Sequence, residues 1–364
     1  MSRALALAWT APEPTSPNPT VGAVVVATGE IIGEGVTEPP PGRHAEIVAL
    51  EQAGGRARDA TLYVTLEPCR HFGRTPPCAD AIIAAGIAEV HYAVADPGEK
   101  SGGGHAVLEA AGIRVLRGEG EAEARRINEA FFKHRETGLP FVVAKFAASL
   151  DGRIAAASGD SRWVSGPEAR EWSHRQRTRI DAIICGSETV IVDDPLLTAR
   201  PGGCDSQRQP LRVIVDSRGR VAPMARVFQG TDWALTLVAT TEDASATWRA
   251  SVEATGAEVL TFAKHGDHVD LEELLRELAT RDVVTALLEG GGVLLGGFFD
   301  RGLVDKLHVV VAPIIVGAAD APGAVAGRGA YRMAEALHLR DITVDRLGED
   351  ILVTGYPQYP DPPD

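Results

Sequence analysis

The feature that most constrains this chain is an ordered set of metal-binding side chains between His44 and Cys78. His44-Ala45-Glu46 is followed about twenty residues later by Leu66-Glu67-Pro68-Cys69, and Cys78 comes nine positions after Cys69. One imidazole and two thiols are three ligands for zinc. Three protein ligands with water in the fourth place is the pattern of a catalytic site, whereas a structural site is closed by four. Glu46, two residues past the imidazole, is the carboxylate that moves protons without touching the metal, and His-x-Glu with Pro-Cys and a further Cys is the signature of hydrolytic base deamination. Singly, a histidine and two cysteines are more often core residues or a disulfide than ligands; their order and spacing favour the metal. The stretch 70–77 between the cysteines must loop out, and it is free to touch a substrate.

A chain of 364 residues exceeds one ordinary core and predicts two domains. The net charge of -14 argues against a nucleic-acid partner, which a basic surface would serve. No apolar run approaches the roughly 20 residues of a membrane helix, and the apolar start Met1–Trp9 reads as an amphipathic helix rather than a signal peptide. Two cysteines beyond the metal pair, Cys185 and Cys204, make no disulfide framework, so a reducing compartment, the cytoplasm, is expected.

The pattern along the chain is α/β, with helices covering a sheet. Strands are predicted over 23–26, 31–35, 61–66, 89–94 and 113–116. A helix opens at His44 with Ile47, Val48 and Leu50 as its apolar face, another runs from Cys78 to Gly86, and one charged helix spans 119–135. Gly102-Gly103-Gly104 reads as a flexible loop over the metal pocket. Thr137-Gly138-Leu139-Pro140 places the boundary, giving domains over 1–139 and 140–356, with 357–364 a disordered tail. In the second half, strands are expected over 141–147, 182–185, 211–216, 234–239 and 283–289, with a helix over 271–280. Gly290-Gly291-Gly292, between a strand and the apolar helix Val293–Phe299, is either a phosphate-holding helix start or a plain turn. No Gly-x-Gly-x-x-Gly follows a strand, so a Rossmann dinucleotide site is not expected.

Many short motifs, in order, resemble the bifunctional deaminase–reductase family of riboflavin biosynthesis, the RibD family. In the first half these are Asn18-Pro19-Thr20-Val21-Gly22, His44-Ala45-Glu46, Thr65 to Cys69, Gly73 to Cys78 and Asp96-Pro97. In the second they are Lys145 to Arg153, Ser158 to Trp163, Thr189-Val190, Asp193 to Thr198, Asp216-Ser217 and Glu289-Gly290-Gly291. The resemblance implies a cytidine-deaminase-like three-layer domain followed by a dihydrofolate-reductase-like domain. The first would use zinc to remove the amino group of 2,5-diamino-6-(5-phosphoribosylamino)pyrimidin-4-one; the second would use NADPH to reduce the ribosyl side chain to ribityl. Two positions depart from the family pattern: Gly98 stands where Asn is usual, and Arg70 where Ser is common.

Carried over residue by residue, the resemblance implies zinc ligands His44, Cys69 and Cys78 and the proton carrier Glu46. It places Asn18, Arg74 and Asp96 against the deaminase substrate. NADPH is expected near Ala147, Trp163, Thr189, Asp193, Ser217, Gly291, Gly292, Val293, Leu294, Leu295, Gly296 and Gly297. The reductase substrate is expected near Ser161, Arg177, Leu197, Arg200 and Glu289, with Lys145 and Asp151 as candidate acids for the proton that accompanies the hydride. The partner is a small phosphorylated pyrimidine, and an acidic two-domain enzyme of this kind is expected to be a homo-oligomer, dimer or tetramer. The competing readings are a deaminase of free nucleosides or bases with an altered second domain, and a non-catalytic zinc module, which would have no use for Glu46.

Overall fold

The computed structural model describes all residues except 13, 73–75, 231 and 361–364. It comprises two compact units, Met1–Leu139 and Pro140–Asp364, each with its own sheet.

The first unit opens with α1 (Ser2–Trp9) and the hairpin of β1 (Gly22–Ala27) and β2 (Glu30–Val36). Thr28 and Gly29 turn that hairpin with φ of 50° and 83°, the paired left-handed conformations that suit strand twist. Then come α2 (Ala45–Ala53), β3 (Thr61–Leu66), α3 (Cys78–Ala85), β4 (Glu89–Val94), α4 (Gly104–Ala110) and β5 (Arg114–Arg117). Two short helices, α5 (Glu121–Ile127) and α6 (Glu129–Thr137), close the unit. The sheet order is β2-β1-β3-β4-β5, with β1 antiparallel to both neighbours and β3, β4 and β5 parallel.

Glycines set how the helices seat. Gly35 pairs with Ala23, so it shares that residue's face, and Gly22 lies on the other. A Cβ at Gly22 would overlap the Ala4 carbonyl oxygen of α1, and Cβ atoms at Gly33 and Gly35 would overlap the Ala49 and Ala45 carbonyl oxygens of α2. Helix backbone therefore lies directly on both faces of the sheet, making three layers. The buried side of α2 is Ala45, Glu46, Ala49, Leu50 and Ala53 rather than Ile47 and Val48, because small residues are what this close seat admits.

Three expectations are corrected here. The charged helix over 119–135 is two helices broken at Asn128, whose side chain leaves the helix to bond both the amide and the carbonyl of Thr20. The Gly102–Gly104 stretch is an ordered helix start, with Gly104 against the Pro68 carbonyl. Pro357 and Gln358, assigned to a tail, end a strand paired with its neighbour.

The second unit contains β6 (Phe141–Ser149), α7 (Pro167–Arg177), β7 (Ala182–Gly186), α8 (Ser187–Asp193), β8 (Leu211–Val215), β9 (Thr236–Thr240) and α9 (Ala246–Glu253). It continues with β10 (Glu258–Thr261), a small hairpin of β11 (Lys264–His265) and β12 (His268–Val269), α10 (Leu271–Thr280), β13 (Thr285–Glu289) and α11 (Gly292–Phe299). The chain ends in β14 (Lys306–Ala312), β15 (His338–Leu347) and β16 (Asp350–Gln358). Nine strands form one sheet in the order β10-β9-β8-β7-β13-β6-β14-β16-β15, parallel from β10 to β14 and antiparallel in the last two pairings. Because β13 inserts between β7 and β6, the carboxyl ends of β6, β7, β8 and β13 open on one crevice. The sequence reading missed the last antiparallel pair, in which β15 is exposed along nearly its whole length and buries no apolar face.

The seat of α2 is testable. Gly35→Ala should cost about 1–3 kcal/mol by overpacking and lower zinc content by tilting the start of α2, whereas Gly55→Ala, with open space around its Cβ, should change neither. Thermal melts and metal analysis of the purified variants read both.

Candidate active sites

In the first unit, two helix starts meet. His44 is the residue before α2, in an extended conformation, and Cys78 is the first residue of α3. Cys69 lies in the loop after β3 and accepts a hydrogen bond from the Cys78 amide at 3.3 Å. His44 Nδ1 is 3.2 Å from Cys78 Sγ and 3.7 Å from Cys69 Sγ, and the three donor atoms lie within 4.8 Å of one another. Ordinary zinc bond lengths in a tetrahedron put nitrogen and sulfur about 3.5 Å apart, and two sulfurs about 3.8 Å apart. The donor set fits zinc in both chemistry and spacing. The hydrogen bond from Cys78 and the neighbouring imidazole hold the Cys69 thiol well below its ordinary range, which suits a metal ligand.

Glu46 is buried in the first turn of α2 beside these donors. Burial, with the Cys69 thiolate nearby, pushes its carboxyl up to about 7. A carboxyl that gains and loses a proton near neutrality is suited to general acid–base work.

The substrate side of this pocket is organised by Glu67, which the sequence analysis gave no role. Its buried carboxylate accepts from the amides of Asp96 at 3.2 Å, Gly103 at 3.0 Å and His105 at 2.9 Å. Glu67 thereby ties the end of β3, which leads to Cys69, to the Asp96 loop and to the start of α4. Asp96 bonds the Gly98 amide at 2.8 Å, and burial raises its pKa. The departures Gly98 and Arg70 meet in this loop: the Arg70 guanidinium bonds the Glu99 carbonyl at 3.1 Å and lies against Gly103. Asn18 sits in the turn closed by Thr15, whose hydroxyl donates to the Asn18 carbonyl at 3.0 Å, and Asn128 anchors the next residues from behind. Arg74 lies outside the described residues.

In the second unit, a cavity of about 840 Å³ opens at the strand ends. Lys145 borders it next to Glu289, its register partner on β13. Arg177 from α7 grips Glu289 through two contacts, Nη2–Oε2 at 2.5 Å and Nε–Oε1 at 3.4 Å, and donates to the Thr198 carbonyl at 3.0 Å. Burial pushes Glu289 up, but Arg177 and Lys145 outweigh it and hold the carboxylate below its usual range. Burial depresses the Lys145 pKa, partly offset by Glu289.

Of the expected cofactor residues, Ala147, Thr189, Asp193, Ser217, Gly291, Gly292, Val293, Leu294 and Gly297 border this cavity. The Thr189 hydroxyl accepts from the Gly291 amide at 2.9 Å, fixing the start of α11. Three do not join them. Leu295 points into the core, Gly296 packs against the Ala326 backbone, and Trp163 stands 69% exposed under the Arg170 guanidinium. Helix α11 shows the cavity its first residues and one face, and Leu295 and Gly296 lie on the face turned away, so a continuous run of seven cannot all reach a ligand. Ser161, Leu197, Arg177 and Glu289 border the cavity, and the Ser161 hydroxyl donates to Asp193 at 2.8 Å. Arg200 does not border it; its guanidinium bonds Thr198, and burial and Arg177 together lower its pKa.

Asp151 is corrected as a proton donor. Its exposed carboxylate accepts from the Ser149 hydroxyl at 2.6 Å and from the Val316 and Gly317 amides at 3.0 and 2.8 Å, which depress its pKa to about 2. It fastens a turn outside the cavity and stays ionised at neutral pH.

Residues 140–353 match the family model of the RibD C-terminal domain, and residues 1–94 match that of the cytidine and deoxycytidylate deaminase zinc-binding region. This chain belongs to the RibD family. The riboflavin biosynthesis protein RibD of Escherichia coli K12 is 40% identical over 96% of this chain and 96% of its own length. The RibD structure from Acinetobacter baumannii, form 1, superimposes with a TM-score of 0.88 at 36% identity, covering 98% of each chain. A Thermotoga maritima structure, described as a diaminohydroxyphosphoribosylaminopyrimidine deaminase/5-amino-6-(5-phosphoribosylamino)uracil reductase, does so at 0.82 and 33%, covering 98% of this chain and 97% of its own. The chain is therefore an enzyme of riboflavin biosynthesis with deaminase and reductase activities, using zinc in a cytidine-deaminase-like unit and NADPH in a reductase unit. No helix among the described residues is long and apolar enough to cross a membrane.

Asp151→Asn should therefore leave reductase kcat within about threefold, while Lys145→Met lowers it by about 10²–10⁴, the usual worth of a positioned acid. Steady-state oxidation of NADPH distinguishes the two.

Proposed function

We propose that the two sites act in sequence on one phosphorylated pyrimidine, the compound named in the description of the Thermotoga relative. The observation that carries the reading is the buried Glu46 carboxyl, balanced near neutrality beside three zinc donors. Held by His44, Cys69 and Cys78, zinc supplies a water acidified toward neutral pH. With zinc bound there, Glu46 would be placed to accept a proton from that water and to pass a proton to the leaving amino group, its carboxyl being balanced near neutrality. Asn18 and Asp96 read the ring, and the phosphate is assigned to Arg74 by its place in the family motif alone. The Glu67 latch holds the Asp96 loop in register with Cys69.

In the reductase unit, NADPH supplies the hydride that converts the ribosyl carbon to ribityl. Lys145 delivers the accompanying proton, kept next to its target by Glu289. Ser161 and Leu197 border the sugar, and Arg177, which lines the cavity, offers guanidinium donors that match phosphate oxygens, with Arg200 linked to it through Thr198. The deaminase chemistry is assigned to 1–139 and the reductase chemistry to the unit that begins at Pro140 and includes the whole of β16.

We place the enzyme in the cytoplasm, on its four free thiols, two of which must stay reduced to bind metal. A homo-oligomer, dimer or tetramer, is supported by the edge strand β15, where Ile342 and Val344 are exposed and one row of backbone groups has no strand beside it.

Glu46→Gln should retain stoichiometric zinc and lose ammonia release by about 10³-fold or more; undiminished ammonia release refutes the assignment. Supplying the phosphorylated diaminopyrimidine with and without NADPH, and its dephosphorylated form, separates this reading from a nucleoside deaminase. The expected result is ammonia without cofactor, NADPH oxidation only afterwards, and little turnover of the dephosphorylated compound. Because the protonated amine is the donor, reductase kcat should be flat at low pH and fall as pH rises through the depressed Lys145 pKa; Lys145→Arg should move that fall upward in a pH–rate profile.

A further inference from the structure

The two departures from the family pattern, Gly98 and Arg70, converge on a third residue, Ser101. Residues 98–102 form one tight turn, closed by the Gly102 amide on the Gly98 carbonyl at 2.8 Å. Glu99 and Lys100 are exposed on the outside of that turn, whereas Ser101 is half-buried. Its hydroxyl donates to the Asp96 carboxylate, whose Oδ1 also accepts from the Gly98 amide at 2.8 Å. Asp96 is thus held by two donors from its own loop, and together they fix how its carboxylate is turned.

The Ser101 hydroxyl uses the space that a side chain at 98 would take. A Cβ on Gly98 would lie 2.2 Å from Ser101 Oγ and 3.1 Å from Asp96 Oδ1. The backbone at 98 lies outside the positive-φ region, so an L side chain is permitted there by conformation. What excludes it is the hydroxyl. A serine hydroxyl escapes such an overlap by changing its χ1 rotamer, so a side chain at 98 would turn Ser101 away from Asp96 and leave the turn itself standing. The chain has in effect exchanged a side chain at 98 for the hydroxyl of 101.

Arg70 holds the same turn from the metal side. Its amide donates to the Ser101 carbonyl at 3.2 Å, and its guanidinium donates to the Glu99 carbonyl at 3.1 Å while lying across Gly103. The residue that directly follows the zinc ligand Cys69 therefore grips the turn on both sides of Lys100 and sets where the Ser101 side chain begins. A serine at 70 would keep the amide bond but could not span to Glu99.

We propose that Ser101 and Arg70 are positioning residues of the deaminase: Ser101 orients the Asp96 carboxylate toward the pyrimidine ring, Gly98 keeps open the space this requires, and Arg70 fixes Ser101 relative to Cys69. The inference deepens the reading of Asp96 given above and rests on it. Ammonia release from the phosphorylated diaminopyrimidine is followed on the zinc-loaded full-length protein, with zinc content and a thermal melt for each variant. Ser101→Ala and Gly98→Ala should each raise KM about tenfold, the scale of one hydrogen bond to a charged group, with kcat changed less than about threefold and zinc retained. Because Gly98→Ala acts by displacing the hydroxyl, the double variant should be no worse than either single one, whereas independent losses multiply. Arg70→Ser should raise KM about threefold to tenfold, add nothing to Ser101→Ala, and lower kcat/KM for the phosphorylated and dephosphorylated pyrimidines by the same factor. An unchanged KM in Ser101→Ala overturns the inference, as do multiplied losses in the Gly98–Ser101 double variant. So does a loss in Arg70→Ser confined to the phosphorylated compound, which would make Arg70 a phosphate ligand instead. If Asp96→Ala leaves kcat and KM unchanged, the assignment of Asp96 to the ring falls first, and the inference falls with it.

Discussion

Helix α2 lies with its backbone on β2, and the chemistry of the first unit depends on that contact. Gly33 and Gly35 present no side chain where the Ala49 and Ala45 carbonyls come down, so the first turn of α2 is fixed by hard contact rather than by adjustable side chains. His44 and Glu46 belong to that turn. A ligand nitrogen must sit within a few tenths of an ångström of its place for zinc, and stiff backbone packing can hold that tolerance. The same seat buries Glu46, and burial is what lifts its pKa to about 7. One packing decision thus sets both the metal geometry and the proton affinity beside it.

The other side of the pocket is held by a buried carboxyl group that gathers backbone amides. Glu67 is satisfied by three backbone amides from two separate segments. These bonds order the Asp96 loop and the start of α4 together. Arg70 adds a second tie to the same loop through the Glu99 carbonyl. Gly98 donates its amide to Asp96 and leaves room where a Cβ would meet the Ser101 hydroxyl, and Arg70 fastens the loop from the ligand side.

The reductase unit solves a different problem, how to keep an amine and a carboxylate usable at the edge of a core. The Arg177–Glu289 pair is mostly buried, and removing one partner of such a pair leaves an uncompensated charge costing about 3–5 kcal/mol. With Arg177 in place, Glu289 remains ionised and sits in register with Lys145. Arg212 plays a comparable structural part: fully buried, it donates to the carbonyls of Leu196, Gln229 and Ala234, joining the loop before Leu197 to the loop before β9. Burial lowers its pKa to about 10, which leaves it charged at neutral pH.

What the sequence determined alone was local. The His44–Glu46 and Cys69–Cys78 spacings identified zinc chemistry because ligand type and order are properties of the chain, and α3, α10 and the parallel strands announced themselves through glycine stops and β-branched runs. Tertiary structure decided what depends on burial and on distance through space. Asp151 was a plausible acid in sequence, yet three donors from 149, 316 and 317 converge on it and hold its proton off. Residues 119–135 carried one continuous helical pattern, yet Asn128 is drawn out of it to hold Thr20, 108 positions away. Leu295 and Gly296 lie in the glycine-led run but face the core, since a helix shows a ligand only one side. Glu67 gained meaning only when the fold brought the Asp96 loop and the start of α4 to it, because a hydrogen bond is a relation between segments that no single stretch of sequence contains.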